Sequence, residues 1–435
     1  MHIVTVAPSV PVPASGGGGN WNSCLIKYFA RQKHRVTHIA VVGKHESNPV
    51  DPLTLAAYRQ MNVDVQIVPF QAQPAKSNLA DKIGKIVRPA IEDFWPNEWR
   101  TRPAVLERLD LLRPDCVLPF AFDAVVYTHG FKKAPRVAFQ AEGPHINTYV
   151  NWKYDPEVRP GWSPQYLAYS AKTLLAARSQ EAVYDRLTRD LTIAAFAGPH
   201  YVQWAKDRGM TNAVFITTPV PDPVGPEWKQ LRDALPPNEK CKILMIGHLH
   251  STSNKSGLPI FFEEILPHLE SKWGNENFEV HIVGRNEGMP ARFNAWRKHP
   301  ALRFRGPVYP ADQEFLSSDI LLVPIPAKTG SRVRILNGFT YGSAIVAHSA
   351  NALGIPELRH GENVLLGDTG REIAEQVIRL APDKTMRRKL GENGRATYER
   401  HYTEEEGGRQ YLRLIDEALA ATRTIEAEEM QATNR

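Results

Sequence analysis

Between Pro324 and Gly342 the end of an apolar run is followed by small and polar residues and then by a helical repeat. This is the stretch best suited to holding an anion. Gly330 and Ser331 can turn backbone N–H groups at a helix start toward negative charge, and the helix dipole adds favourable potential there. Arg332 and Arg334 follow at once, each able to grip phosphate oxygens through a charge-assisted fork. Ser331, Arg334, Asn337 and Tyr341 recur at three- and four-residue spacing, while Ile335, Leu336 and Phe339 fall at angles that suit burial. Two readings stay open. The stripe either lines a cleft, with Asn337 bonding a ribose hydroxyl, or is a solvated helix face.

Chemistry-bearing residues are sparser in the first half. Gly16 to Gly19, before Asn20, read as a glycine loop between a strand and a helix, where only glycine lets the backbone approach a phosphate closely. A flexible turn explains the same residues. After a strand ending near Gln140 come Glu142 and His145, which can touch an acceptor or a transferred group, with Asp123 a lesser candidate. His145 is equally readable as a loop histidine with local hydrogen bonds. Between residues 76 and 100, Lys82, Lys85 and Arg88 mingle with Ile83, Ile86, Phe94, Trp95 and Trp99. That mixture suits a peripheral membrane contact or ordinary packing on a domain.

The elements that must position these groups alternate. His2–Ala7 reads as a strand, Asn22–Gln32 as a helix and Val36–Val42 as a strand, with further strands at residues 63–68, 116–120, 137–140, 192–197 and 214–217. Prolines at 219, 221, 223, 226, 236 and 237 then interrupt the pattern, which places a linker without regular structure at 223–238. The rhythm restarts with strands at 242–246, 278–283, 303–305, 320–324 and 344–347 and helices at 257–271 and 332–341. Helices at 369–380, 384–401 and 404–421 follow. The expectation is α/β throughout: residues 1–222 and 239–410 form two doubly wound domains, with a last helix at 411–422 that can cross back and a frayed tail at 423–435. Ligands of such sheets gather beyond the carboxyl ends of their strands.

Composition narrows the class. At 435 residues the chain is too long for one core. It carries 42% hydrophobic and 23% charged residues, which excludes a fibrous or largely disordered protein. No run is long enough to span a membrane, and the N-terminus lacks the form of a signal peptide. Cys24, Cys116 and Cys241 are scattered, as buried reduced thiols would be, so a cytoplasmic protein is expected. A net charge of +6 points to anionic partners, yet no basic run interleaved with aromatics suggests nucleic acid. No His/Cys/Asp/Glu cluster has metal-ligand spacing, so neither metal nor cofactor is expected.

From Ile243 onward the sequence resembles the donor domain of the retaining glycosyltransferases of family four, which have the GT-B fold. The matches run in order over nearly all of 242–415. They comprise the Ile243 to Asn254 strand and glycine loop, Val280-His-Ile-Val-Gly284, Val308 after Arg303 to Gly306, Asp319 to Pro324, the helix from Ser331, Gly342-Ser-Ala-Ile-Val-Ala347, and Gly361 with Leu390 to Arg395. The resemblance implies two Rossmann-like domains facing across a cleft, with a nucleoside diphosphate sugar held by the second. It implies diphosphate bound by Gly330, Ser331, Arg332 and Arg334, ribose by Asn337, and the base near Val308, with Gly18 and Gly19 facing the phosphates from the first domain. Catalytic roles would fall to Arg334, His145 and Glu142.

Two positions depart from the family. Its acidic pair falls here on Thr329 and Asn337, and its opening-loop Arg and Lys are represented by His248 and Lys255, near Asn254. The expected activity is transfer of a sugar to a hydroxyl of a glycan or lipid-linked acceptor, with retention and without metal. A non-catalytic partner of a polysaccharide assembly system is the alternative, and a nucleotide-sugar epimerase a more distant one.

Overall fold

A computed structural model describes residues 1–11, 17–43, 50–72, 89–154, 163–287 and 289–433, and only the backbone of 17–20 and 425–433. The chain divides into two compact units. One comprises Met1–Ile146, Leu174–Pro219 and Glu404–Arg435; the other comprises Asn147–Thr173 and Val220–Thr403.

In the first unit, β1 (His2–Ala7), β2 (Arg35–Val42), β3 (Val63–Pro69) and β4 (Cys116–Pro119) form a parallel sheet in the order β3-β2-β1-β4. β5 (Val137–Gln140), β6 (Ile193–Phe196) and β7 (Ala213–Phe215) form a second parallel sheet. Parallel bridges Val117 to Arg136 and Phe120 to Phe139 join β4 to β5, so seven strands run one way. Near-continuous apolar strands such as β1 are what burial on both faces requires.

The first helix, Gly17–Arg31, begins before the expected Asn22, and Gly18 and Gly19 lie in its first turn instead of a loop. Tertiary packing explains the difference. Trp21 is buried with ring centroids 4.6 Å from Phe120 and 3.8 Å from Phe139, and this anchoring overrides the poor helix propensity of glycine. Gly16 lies outside the described residues, as do residues 73–88 of the basic aromatic stretch.

The C-terminal helix, Glu404–Thr433, runs through the expected tail and belongs to this first unit. Tyr411, Ile415 and Ala418 join the core of Leu25, Tyr28 and Phe29. Gly408 lies so close to the Tyr28 ring that a Cβ there would come within 2.2 Å of it, and Arg31 pairs with Glu404 at 2.6 Å.

The second unit has six parallel strands: β8 (Cys241–Ile246), β9 (Phe278–Val283), β10 (Leu302–Gly306), β11 (Ile320–Val323), β12 (Ile345–His348) and β13 (Leu365–Gly367). Their order is β10-β9-β8-β11-β12-β13. The chain therefore reverses direction across the sheet between β8 and β11, and a crevice beyond their carboxyl ends is the switch point where such folds bind ligands. The three-residue β13 was not among the expected strands, and the proline-rich linker contains a helix, Trp228–Asp233.

Candidate functional site

The switch point of the second unit is built by the loops after β8 and β11. Gly247 ends β8 at φ +133°, a conformation favouring glycine, and a Cβ there would lie 2.9 Å from Arg334 Nη2. Arg334 is in the first turn of the Val333–Thr340 helix, whose Ile335, Leu336 and Phe339 are fully buried, as their spacing predicts. Its Nη1 donates to Asn254 Oδ1, and Asn254 Nδ2 donates to the His248 carbonyl at 2.7 Å. The guanidinium is thus aimed by an amide that is itself anchored on the neighbouring loop.

Among the described residues Arg334 has no carboxylate partner. Burial, with the Arg332 charge adding to it, pushes its pKa down to about 9. A desolvated cation beside a second cation raises the energy of the empty site, and a bound anion would lower it.

Arg332 does a different job. Its side chain is buried: Nε donates to Asn351 Oδ1 at 3.0 Å, Nη1 to Thr329 Oγ1 at 2.9 Å and Ser253 Oγ at 3.3 Å, and Nη2 to the Ala327 carbonyl. Thr329 Oγ1 and Ser253 Oγ lie 3.2 Å apart. The two arginines expected to act alike are therefore oriented differently, with Arg332 tying together the loop that carries Gly330 (φ +45°) and Ser331.

The outward stripe is shorter than its spacing suggested. Tyr341 is buried, its ring stacked 4.7 Å from Phe315 and its hydroxyl donating to Asp312, because it has passed the end of the helix and turned onto the short Asp312–Ser317 helix. Asn337 and Ser331 remain half-buried. His248 is exposed and stacked on His250 at 5.7 Å, and its Nδ1 accepts from the Arg285 N–H at 3.2 Å. Burial, then the positive charges of His250, Arg285 and Arg334, hold its pKa below the usual histidine range. Lys255, in the helix capped by Ser251, and Val308, beyond β10, are half-buried.

His145 and Glu142 lie after β5 in the first unit. His145 is buried between Tyr184, 5.4 Å away, and Trp204, on which it stacks at 5.6 Å. Its Nε2 lies 4.0 Å from Glu181 Oε1, and that oxygen also accepts from Trp204 Nε1 and Arg208. Burial lowers the His145 pKa to about 4; Glu181 pulls it up and Arg208 pushes it down. The imidazole is neutral at physiological pH, with a buried Nδ1 that has no hydrogen-bond partner among the described residues. Glu142 is half-buried nearby, within electrostatic reach of Tyr184. Asp123 sits in the first turn of the Phe122–Thr128 helix.

The sequence reading included Gly247 and Ser253 only within the Ile243 to Asn254 strand and glycine loop, and passed over Asn351, Glu181 and Trp204. These lie in unremarkable contexts, far in sequence from the groups they serve.

Residues 259–413 match the family described as glycosyl transferase-like. No curated protein matches the chain by sequence. Among solved structures, HepE of Anabaena, crystallised with UDP and glucose, superposes with a TM-score of 0.61 at 14% identity, covering 95% of this chain and 99% of that one. Sucrose-phosphate synthase of Thermosynechococcus elongatus gives 0.67 at 11% identity, covering 97% and 99%. TarM of S. aureus, crystallised with UDP and a glycosylated glycerol, gives 0.64 at 9%, covering 95% and 99%. Together with the strand order of both units, these likenesses define the class: the chain has the GT-B fold of glycosyltransferases. Its segment 259–413 is glycosyl transferase-like in sequence as well as in fold.

Proposed function

We propose that the chain transfers a sugar from a nucleoside diphosphate sugar to a hydroxyl of a glycan or lipid-linked acceptor. The observation carrying this is Arg334, a desolvated guanidinium at the switch point of the second unit with no carboxylate partner among the described residues. A diphosphate is the ligand that site suits, and the structures with UDP bound share the fold.

In this reading Arg334 grips the diphosphate and stabilises the charge that develops on it as the glycosidic bond breaks. The loop braced by Arg332 and Thr329 holds Gly330 and Ser331 beside it, and Asn337 bonds the ribose. Gly18 and Gly19, His248, Lys255 and Val308 are secondary contacts. His145, neutral and aromatic-packed, positions the sugar or accepts a hydrogen bond from it, with Glu142 beside it. Retention of configuration and independence of metal and cofactor are part of the proposal, as is a cytoplasmic location.

The uncharged Thr329 and Asn337 favour a second reading, a relative that keeps the nucleotide site without turnover and serves as a partner in polysaccharide assembly. One experiment separates them. A panel of nucleoside diphosphates and their sugars is tested by thermal shift without metal on wild type and Arg334→Ala, and nucleotide release from the sugar donor is then measured. Stabilisation lost in the variant together with turnover supports the transferase; stabilisation without turnover supports the partner; no stabilisation sinks both.

A further inference from the structure

At the opposite end of the second unit's sheet, at the amino ends of β8, β11 and β12, lies a cavity of about 850 Å³. Its size is that of a small-molecule site, and it is remote from the carboxyl ends where the nucleotide would bind. Its walls include the indoles of Trp228 and Trp273, both half-buried, with Leu235, Leu316 and Ile378.

Charge at this cavity is lopsided. Lys229, Arg232, Lys384, Arg387 and Arg388 line it against only Asp233 and Asp319. Lys229 and Arg388 share the carboxylate of Glu392, at 2.7 and 3.3 Å, and Arg388 also reaches Asp233 at 3.7 Å. Arg387 pairs with Asp319 at 3.3 Å. Lys384 has no carboxylate partner among the described residues and is exposed. Lys384, Arg387 and Arg388 also lie near the start of the Lys384–His401 helix, where the backbone dipole is already positive and Asp383 is the cap.

The cavity also borders the turn that follows the helix carrying Arg334, through Gly342. Arg232 donates to the carbonyls of Tyr341 (3.3 Å), Ser318 (2.8 Å) and Phe315 (2.9 Å) and to Ser343 Oγ (3.2 Å). The Trp228 ring lies over Gly342, where a Cβ would come within 2.1 Å of it. Tyr341 and Gly342 directly follow the Val333–Thr340 helix, so an occupant would press on its carboxyl end.

We infer that this cavity is a second binding site, for a phosphorylated small molecule whose ring or apolar part lies on the tryptophans and whose phosphate meets the cations at the helix start. It is separate from the nucleotide site.

The test uses the full chain, with inorganic phosphate and a hexose 6-phosphate as probes and chloride at matched ionic strength as the control. Thermal shift and tryptophan fluorescence are read on wild type, Lys384→Glu and Lys384→Glu/Arg388→Glu. Both positions are exposed, and circular dichroism checks that the variants fold. The hexose phosphate is expected to raise Tm and change the fluorescence more than chloride does. The double variant should weaken that binding at least about 10-fold, a difference of roughly 1.4 kcal/mol, while the response to nucleoside diphosphates is kept. No response beyond that to chloride, or a response undiminished in the double variant, overturns the inference. Because the nucleotide response is read in parallel, failure here and failure of the proposed function are distinguishable.

Discussion

The two sheets share the order in which their first six strands are laid down, and their carboxyl ends hold opposite kinds of group. Beyond β8 and β11 a guanidinium is desolvated next to another guanidinium. Beyond β5 an imidazole is desolvated into its neutral form and packed on rings. The difference teaches that a common scaffold leaves the electrostatics of its crevice to a few loop residues. One crevice presents a buried cation, the other a buried neutral ring.

The comparison breaks most sharply at Arg334. Arg334→Ala is expected to weaken nucleoside diphosphate binding about 100-fold, measured by calorimetry, because a buried charge-assisted contact is worth roughly 3 kcal/mol. Arg334→Lys should recover little of it, since an ammonium lacks the fork that Asn254 aims. An unchanged Kd in Arg334→Ala would remove the asymmetry between the units.

His145→Gln should do the converse, leaving the nucleotide response intact while lowering transfer on the order of 10-fold or more, in the range of positioned polar groups. It should also change acid stability. The native His145 pKa, about 4, lies below the usual histidine value, so on acidification the unfolded chain takes up the proton first. The stability from burying the neutral ring is complete above pH 6.5 and is lost as pH falls toward 4. Wild type should therefore lose more stability than His145→Gln between pH 7 and pH 5, by about 1–2 kcal/mol, read from denaturant midpoints.

Smaller effects sharpen the division of labour between the arginines. Thr329→Val removes an acceptor from Arg332 and should cost about 1 kcal/mol of stability with a several-fold weaker nucleotide Kd, through loop shape. Asn337→Ala should cost least, about 3-fold in Kd, as one neutral hydrogen bond does. A larger loss at Asn337 than at Thr329 would reverse the roles given to them.

Much of this architecture was legible because parallel strands buried on both faces announce themselves as short apolar runs; β1 and β11 are of this kind. The helix that carries Arg334 was legible from Ile335, Leu336 and Phe339, whose burial fixes the angle at which Arg334 emerges. What escaped depends on contacts between distant residues. Nothing local says that Arg332 will reach Ser253 and Asn351, because both come from helices elsewhere in the unit. Tyr341 kept the helical spacing but lay past the helix end, where Phe315 offered a ring to stack on. Gly17 to Gly19 looked like a loop by propensity, and Trp21 packing made them helix.

The Glu404–Thr433 helix gives the chain an order of assembly. Tyr411 and Ile415 complete a core whose other members include Leu25, Tyr28 and Phe29, which emerge almost four hundred residues earlier. During synthesis the second unit, Val220–Thr403 with its short earlier insertion, is fully available before that core can close. The first unit must wait with apolar surface uncovered, the condition in which a nascent chain is most exposed to aggregation and to chaperones.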